Sequence, residues 1–441
     1  MFSKKQKRVT MKPVFGIVST LLLIGSSCAA PQQQDVTAKD GKDLNGLIAD
    51  VFGNGNNAEQ PRQQVASTTS LDDLIGSVFN PTNKPNPSVT DSKLGGASGA
   101  GNGDCECVPY YQCQNGTILD NGVGLIDIRL QGPCDNYLDV CCAAPDVVHD
   151  KITPRPTVRK GCGQRNPEGV GFRITGAKDN EAQFGEFPWM VAILKEEAVG
   201  GKPEKLNVYQ CGGALIHPRV VLTAGHCVNN KAPSILKVRA GEWDTQTKNE
   251  IFPHQDRQVQ HVIVHEKFHS GALYNDFGLL ILSEPVEIID NVDIVCLPEA
   301  NEVFDYSRCF ASGWGKDIFG KEGHYQVILK RVELPIVPHD SCQNSLRTTR
   351  LGKYFQLDKS FICAGGEPGK DTCKGDGGSP LVCPVKSDPR RYTQAGIVAW
   401  GIGCGENQIP GVYANVANAR PWIDQQMANY GLDSREYQYR P

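Results

Sequence analysis

The chain has 441 residues, 39 % of them hydrophobic and 21 % charged, and its 45 Lys and Arg against 49 Asp and Glu give a formal net charge of −4. That length exceeds one ordinary domain, and an acidic balance removes the electrostatic case for nucleic acid. The 17 cysteines point to an oxidising compartment and to disulfides rather than metal sites.

The chain opens "MFSKKQKRVTMKPVFGIVSTLLLIGSSCAA". A basic start (Lys4, Lys5, Lys7, Arg8, Lys12) precedes an apolar run and then small residues. This is the pattern of a secretory signal over residues 1–30, its apolar run too short to span a membrane. Cleavage is expected near Cys28–Ala30; it takes five positive charges, brings the net charge to about −9, and leaves an even number of cysteines. No later stretch is long and apolar enough to cross a bilayer, so a soluble, extracellular product is expected, with no membrane partner.

Residues 31–104 are rich in Gln, Asn, Gly, Ser, Thr and Pro, with no cysteine. They cannot bury enough apolar surface to offset ordering entropy and are predicted to be disordered. Within them "GLIADVFGN" and "DLIGSVFNP" share a pattern. Leu47, Ile48, Val51 and Phe52 are echoed by Leu74, Ile75, Val78 and Phe79. At helical spacing each would present a small apolar face, the form of a docking motif.

Residues 105–142 hold six cysteines: Cys105, Cys107, Cys113, Cys134, Cys141 and Cys142. So small a segment needs bridges in place of a core, and the sequence leaves fifteen pairings open. The sequon at Asn115 is a candidate glycan site. Residues 143–173 read as a connector in which Arg155, Arg159 and Arg165 are exposed cut sites beside Arg173. Residues 174–430 change texture to short β-rich runs such as "VVLTA", "LKVRA", "FGLLIL" and "GIVAW", broken by Gly, Pro and Asn. That suggests an all-β sandwich or barrel. "NARPWIDQQMANYG" is the exception, a helix with Pro421 in its first turn, Gly431 at its end, and Trp422, Ile423 and Met427 on its buried side. Residues 431–441 form a tail.

Two resemblances follow from motifs. The C-x-C-x5-C spacing with "VPYY" and a closing "VCC" resembles the clip domain of arthropod serine proteases and their homologs. It implies the pairs Cys105–Cys141, Cys107–Cys134 and Cys113–Cys142. Further on, "RITG", "GEFPWMVAIL", "CGGALIHPRVVLTAGHC", "NDFGLLIL", "CFASGWG", "DTCKGDGGSP" and "GVYANV" stand in the order of a trypsin-like peptidase. The resemblance implies a double six-stranded β-barrel with a C-terminal helix, cleavage at Arg173–Ile174, and a new Ile174 amine that pairs with Asp376. It also implies the bridges Cys211–Cys227, Cys309–Cys383, Cys342–Cys363 and Cys373–Cys404, which leaves Cys162–Cys296 to hold the two pieces together after the cut.

Trypsin-like chemistry needs a serine, an imidazole and a carboxylate. His226 matches the base and Asp276 the orienting acid, but Gly377 stands where the nucleophile belongs. Ser379, two residues on, is expected to point elsewhere. Gly375 and Gly377 retain the backbone of an oxyanion hole. Asp371 with Gly401 and Gly411 matches the specificity pocket for an Arg or Lys side chain. No cofactor is expected; the acidic loop of Glu242, Asp244 and Glu250 matches a calcium loop of some relatives, against the plainer reading of a solvated turn.

The whole resembles a non-catalytic clip-domain serine protease homolog, which implies a cleavage-activated cofactor of prophenoloxidase activation in melanisation. Prophenoloxidase and clip-domain activating proteases would be its partners, and a homo-oligomer after cleavage is a further expectation. The alternatives are a pathogen-surface recognition or adhesion protein, binding microbial ligands through the polar region 31–104 and its twin motifs, and a weak peptidase acting through Ser379.

Overall fold

The computed structural model describes residues 105–113, 124–127, 134, 138–147, 161–175, 180–198, 205–247, 250–316 and 325–441. The signal, the twin motifs, Asn115, Arg155 and Arg159 lie outside the described residues. Among the described residues no helix is long and apolar enough to cross a membrane.

The first module is built on strands β1 (Cys105–Pro109) and β3 (Asp139–Ala143), antiparallel with Cys107 opposite Cys141. Its described buried apolar residues are few, Val108, Leu138 and Cys142, so cross-links take the place of a core. Cys105–Cys141, Cys107–Cys134 and Cys113–Cys142 are bonded, with Cα separations of 5.3, 5.7 and 5.7 Å. A further strand of the module, β2 (Gly124–Asp127), leaves this sheet and runs parallel to β4 (Phe172–Thr175). Two strands alone are marginal in water; an aromatic stack supports them. Tyr110 lies 4.8 Å from Phe172, whose ring is fully buried against Phe184 and Trp243.

Two closed barrels follow, as the double-barrel expectation has it. The first comprises β5 (Met190–Ala198), β6 (Lys205–His217), β7 (Val220–Thr223), β8 (Leu236–Ala240), β9 (Gln255–Val264) and β10 (Gly278–Leu282), in the order β10-β7-β6-β5-β8-β9. The second comprises β11 (Arg308–Gly313), β12 (Lys330–Val337), β13 (Phe361–Gly365), β14 (Pro380–Val385), β15 (Asp388–Trp400) and β16 (Pro410–Asn415), in the order β11-β12-β13-β16-β15-β14. Both close by antiparallel pairing, which leaves no free sheet edge. Runs such as Met190–Leu194 and Gly278–Leu282 are buried at every position, one side filling the barrel and the other covered from outside. Cys211–Cys227, Cys309–Cys383, Cys342–Cys363 and Cys373–Cys404 are bonded. The helices are short: α1 (Gly225–Val228), directly after β7, α2 (His339–Arg347), and α3 (Val416–Asn429).

Two expectations need correction. Helix α3 begins five residues before Pro421, which lies inside it rather than in its first turn. Asn415 is the reason: its side chain accepts from the Asn418 N–H, and this cap starts the helix upstream of the proline. The far end behaves as expected, with Gly431 at φ +64° and the Leu432 N–H returning to the Met427 carbonyl. Arg165 is no exposed cut site. Its guanidinium donates to Glu186 Oε1 at 3.0 Å and sits 4.0 Å from the centre of the Phe310 ring. The segment carrying it is pinned by Cys162–Cys296 and by Gly163, where φ is +79° and an added Cβ would come 2.2 Å from the Tyr392 carbonyl.

Candidate functional site

His226 is presented by α1 and Asp276 by the turn before β10. Asp276, fully buried, takes two bonds from the same residue: the His226 N–H donates to Oδ1 at 2.7 Å, and the ring Nδ1 lies 2.6 Å from Oδ2. Burial alone would lower the imidazole, but the carboxylate overrides it and the ring is raised above its ordinary value. Asp276→Asn is therefore expected to bring the His226 midpoint below 6.5, read from the pH titration of its ring resonances by NMR.

The base thus stands ready in the geometry of a proton acceptor, with no hydroxyl before it. A Cβ added at Gly377 would lie 2.9 Å from His226 Nε2, inside any ordinary contact. The ring has settled into the space a hydroxymethyl group would need. Ser379 lies fully buried and turned away: a Cβ on Gly212 would come 2.0 Å from its Oγ and one on Gly313 3.2 Å. Its hydroxyl faces β6 and β11, beside the Tyr209 phenol, so it offers the imidazole nothing.

A cavity of about 290 Å³ is lined by Asn180, Ser312, Arg331, Asp371, Cys373 and Asp376. Asp376 accepts from the Gly315 and Cys373 N–H groups, each at 2.9 Å. Burial pushes it up to about 6, those two bonds opposing. Asp371 accepts from Thr372 N–H at 2.8 Å and Gly405 N–H at 3.2 Å, and burial, with the charge of Asp376, pushes it up to about 7. A Cβ at Gly411 would come 2.8 Å from Asp371 Oδ1, whereas one at Gly401 would make only an ordinary contact with the Gly403 carbonyl at 3.6 Å. Tyr325 and Tyr209 escaped the sequence reading. The Tyr325 ring lies on Gly375, 2.6 Å from where a Cβ would be, and Tyr209 packs 6.2 Å from that ring.

The Arg173–Ile174 junction lies in β4. Gln183, also unremarked in the sequence, brackets Ile174: the Ile174 N–H donates to Oε1 at 2.7 Å and the Ile174 carbonyl accepts from Nε2 at 3.0 Å. Only a side chain–backbone pattern of this kind, visible in three dimensions, marks that glutamine.

In the acidic loop Glu242 is held by Arg239 at 3.1 Å and by His254 at 3.2 Å, and Asp244 caps the Gln246 N–H at 2.9 Å. Glu250 accepts from the Asp244 N–H at 3.2 Å, and burial, with Glu242, pushes it up. Among the described residues the group of three His, Cys, Asp or Glu ligand atoms gathered within 4.8 Å is that of Cys211, His226 and Cys227, whose two sulfurs are spent in a disulfide.

Comparison with known proteins places this geometry. The family model described as Trypsin matches residues 177–423, and that described as Serine protease Clip domain PPAF-2 matches residues 96–143. The chain is 60 % identical over 298 residues to Phenoloxidase-activating factor 2 of Galleria mellonella, covering 66 % of this chain and 98 % of that protein. It is 39 % identical over 325 residues to Inactive CLIP domain-containing serine protease A8 of Anopheles gambiae, covering 72 % and 87 %. A second Anopheles gambiae protein, Inactive CLIP domain-containing serine protease A28, is 37 % identical over 354 residues, covering 74 % and 90 %. With two closed barrels, a disulfide-stapled module before them and matches of this extent, the chain belongs to the trypsin family as a clip-domain serine protease homolog.

Proposed function

We propose that this protein is a secreted, non-catalytic cofactor of prophenoloxidase activation, cut at Arg173–Ile174 by a clip-domain protease and then binding prophenoloxidase or its activating protease. The observation that carries the non-catalytic half is Gly377. The chain has neither hydroxyl nor thiol there, the His226 ring occupies the vacated space, and Ser379 faces β6 and β11. Losing one triad member leaves only about 10³–10⁴ over water, too little for a dedicated peptidase. The cofactor half is supported by likeness to a phenoloxidase-activating factor and to proteins named inactive clip-domain proteases.

The bridge Cys162–Cys296, in which residue 162 precedes the junction and 296 follows it, suits a protein that is cut and must stay whole. Cutting adds water across the Arg173–Ile174 amide, leaving a carboxylate and an ammonium group. The ammonium is a cation of the kind the Asp376 carboxyl lacks in the uncut chain.

The test mixes purified prophenoloxidase and its activating protease with uncut or cut protein. Cut protein is expected to raise phenoloxidase activity severalfold while hydrolysing no arginine ester of its own. Equal phenoloxidase activity with and without it would sink the proposal.

A further inference from the structure

The functional reading requires a cut after Arg173, yet the structure engages that peptide from several directions. Arg173 and Ile174 lie opposite Leu125 and Ile126 of clip strand β2. Both backbone polar groups of Ile174 are taken by Gln183, at 2.7 and 3.0 Å, and its side chain is buried. The Arg173 guanidinium, the group a trypsin-like enzyme must draw into its pocket, is paired with Glu168. Gln183 is itself fixed. Its N–H donates to Glu186 Oε2 at 2.8 Å, and Glu186, fully buried, is gripped by Arg165 and by Arg331 at 3.1 Å. One residue upstream, Phe172 is sealed between the clip's Tyr110 and the first barrel's Trp243.

A peptidase binds its substrate as an extended chain through free backbone groups, in the manner of an added strand. A peptide whose polar groups are already paired must open before it is cut, and the rate then follows the population of the opened state. We propose that the clip domain guards the chain's own cut site: β2 and Gln183 clasp the Arg173–Ile174 peptide, and cutting proceeds only from the state in which β2 has left β4. This rests on the Arg173–Ile174 cut of the proposed function. It adds that a partner favouring the opened clip speeds the cut, because a ligand shifts an equilibrium toward the state it binds better.

The test uses the full uncut chain and limiting trypsin, with new amino termini identified by mass spectrometry. Cutting after Arg159, which yields Lys160, serves as the internal reference. Gln183→Ala and Ile126→Pro are each expected to raise the rate after Arg173 about tenfold, relative to Arg159. Glu168→Gln, at a surface pair, is expected to raise it about threefold. A variant that misfolds betrays itself by cuts inside the barrels; Glu168→Gln, on the surface, carries the test in that case. An unchanged ratio in Gln183→Ala and Glu168→Gln overturns the guard. A physiological protease that activates the cofactor by cutting elsewhere overturns the functional reading instead, and the trypsin ratios still measure the clasp.

Discussion

Gly377→Ser, in the cut protein, is expected to create a slow serine that a fluorophosphonate traps, with kcat/KM toward an arginine ester about 10³ above wild type and still some 10³ short of a complete triad. The gain follows from what survives: His226 raised and oriented by a fully buried Asp276. The shortfall follows from space. A serine Cβ would meet Nε2 at 2.9 Å, where the hydroxyl alone should be within about 2.6–3.2 Å of the base. The ring must retreat, and the bond of 2.6 Å from Nδ1 to Asp276 resists. Ser379→Gly, added to Gly377→Ser, empties the space beside Gly212 and Gly313 into which the turn can relax, so the double variant is expected to exceed the single one. Labelling of wild type equal to that of Gly377→Ser would move the nucleophile elsewhere and end the non-catalytic reading. Silence in the correctly folded, cut double variant would mean that the cleft has decayed beyond its missing hydroxyl.

Stability should respond almost as strongly to pH. Asp371 is pushed up to about 7 and Asp376 to about 6, in both cases first by burial, while in an unfolded chain an aspartate titrates near ~3.9. The folded state therefore binds protons more tightly than the unfolded state between those values. The contribution of the pair is most favourable below about pH 4 and is lost as pH rises toward 7. Three pH units correspond to about 4 kcal/mol, but both carboxyls line the cavity, where water softens the penalty. Asp371→Asn is thus expected to leave stability unchanged at pH 4 and to raise it by about 2–3 kcal/mol at pH 8. Denaturant unfolding with the disulfides intact measures the difference. After cutting, the Ile174 ammonium should pair with Asp376 and remove that residue's share of the slope. A difference between wild type and Asp371→Asn that stays flat from pH 4 to 8 would contradict the burial argument.

Much of this was legible in the letters. The order of "TAGHC", "NDFGLL" and "GDGGSP" brings His226, Asp276 and Gly377 to one cleft, because the motifs are the local sequences that build α1, the turn before β10 and the strained turn before β14. Short β-rich runs broken by Gly, Pro and Asn pointed to a sandwich or a barrel, and the resemblance to a trypsin-like peptidase chose the double barrel. What escaped was whatever depends on distant partners. Arg165 looks like an exposed basic residue in a connector until Glu186 and Phe310 take its charge and its face. Gln183 has no signature, because a carboxamide reveals its role only through the backbone it meets. Pro421 misled because proline is at home in a first turn, whereas the Asn415 cap had already begun the helix.

The position of Phe172 has one more consequence. This ring, fully buried among barrel aromatics, belongs to the piece upstream of Arg173, which also carries the clip. Severing the chain just beyond it leaves the smaller fragment riveted to the larger at two points ten residues apart in sequence, one covalent through Cys162 and one greasy through Phe172. A protein processed at Arg173–Ile174, as proposed, is therefore a two-chain molecule that keeps its clip, and a partner can recognise both pieces at once.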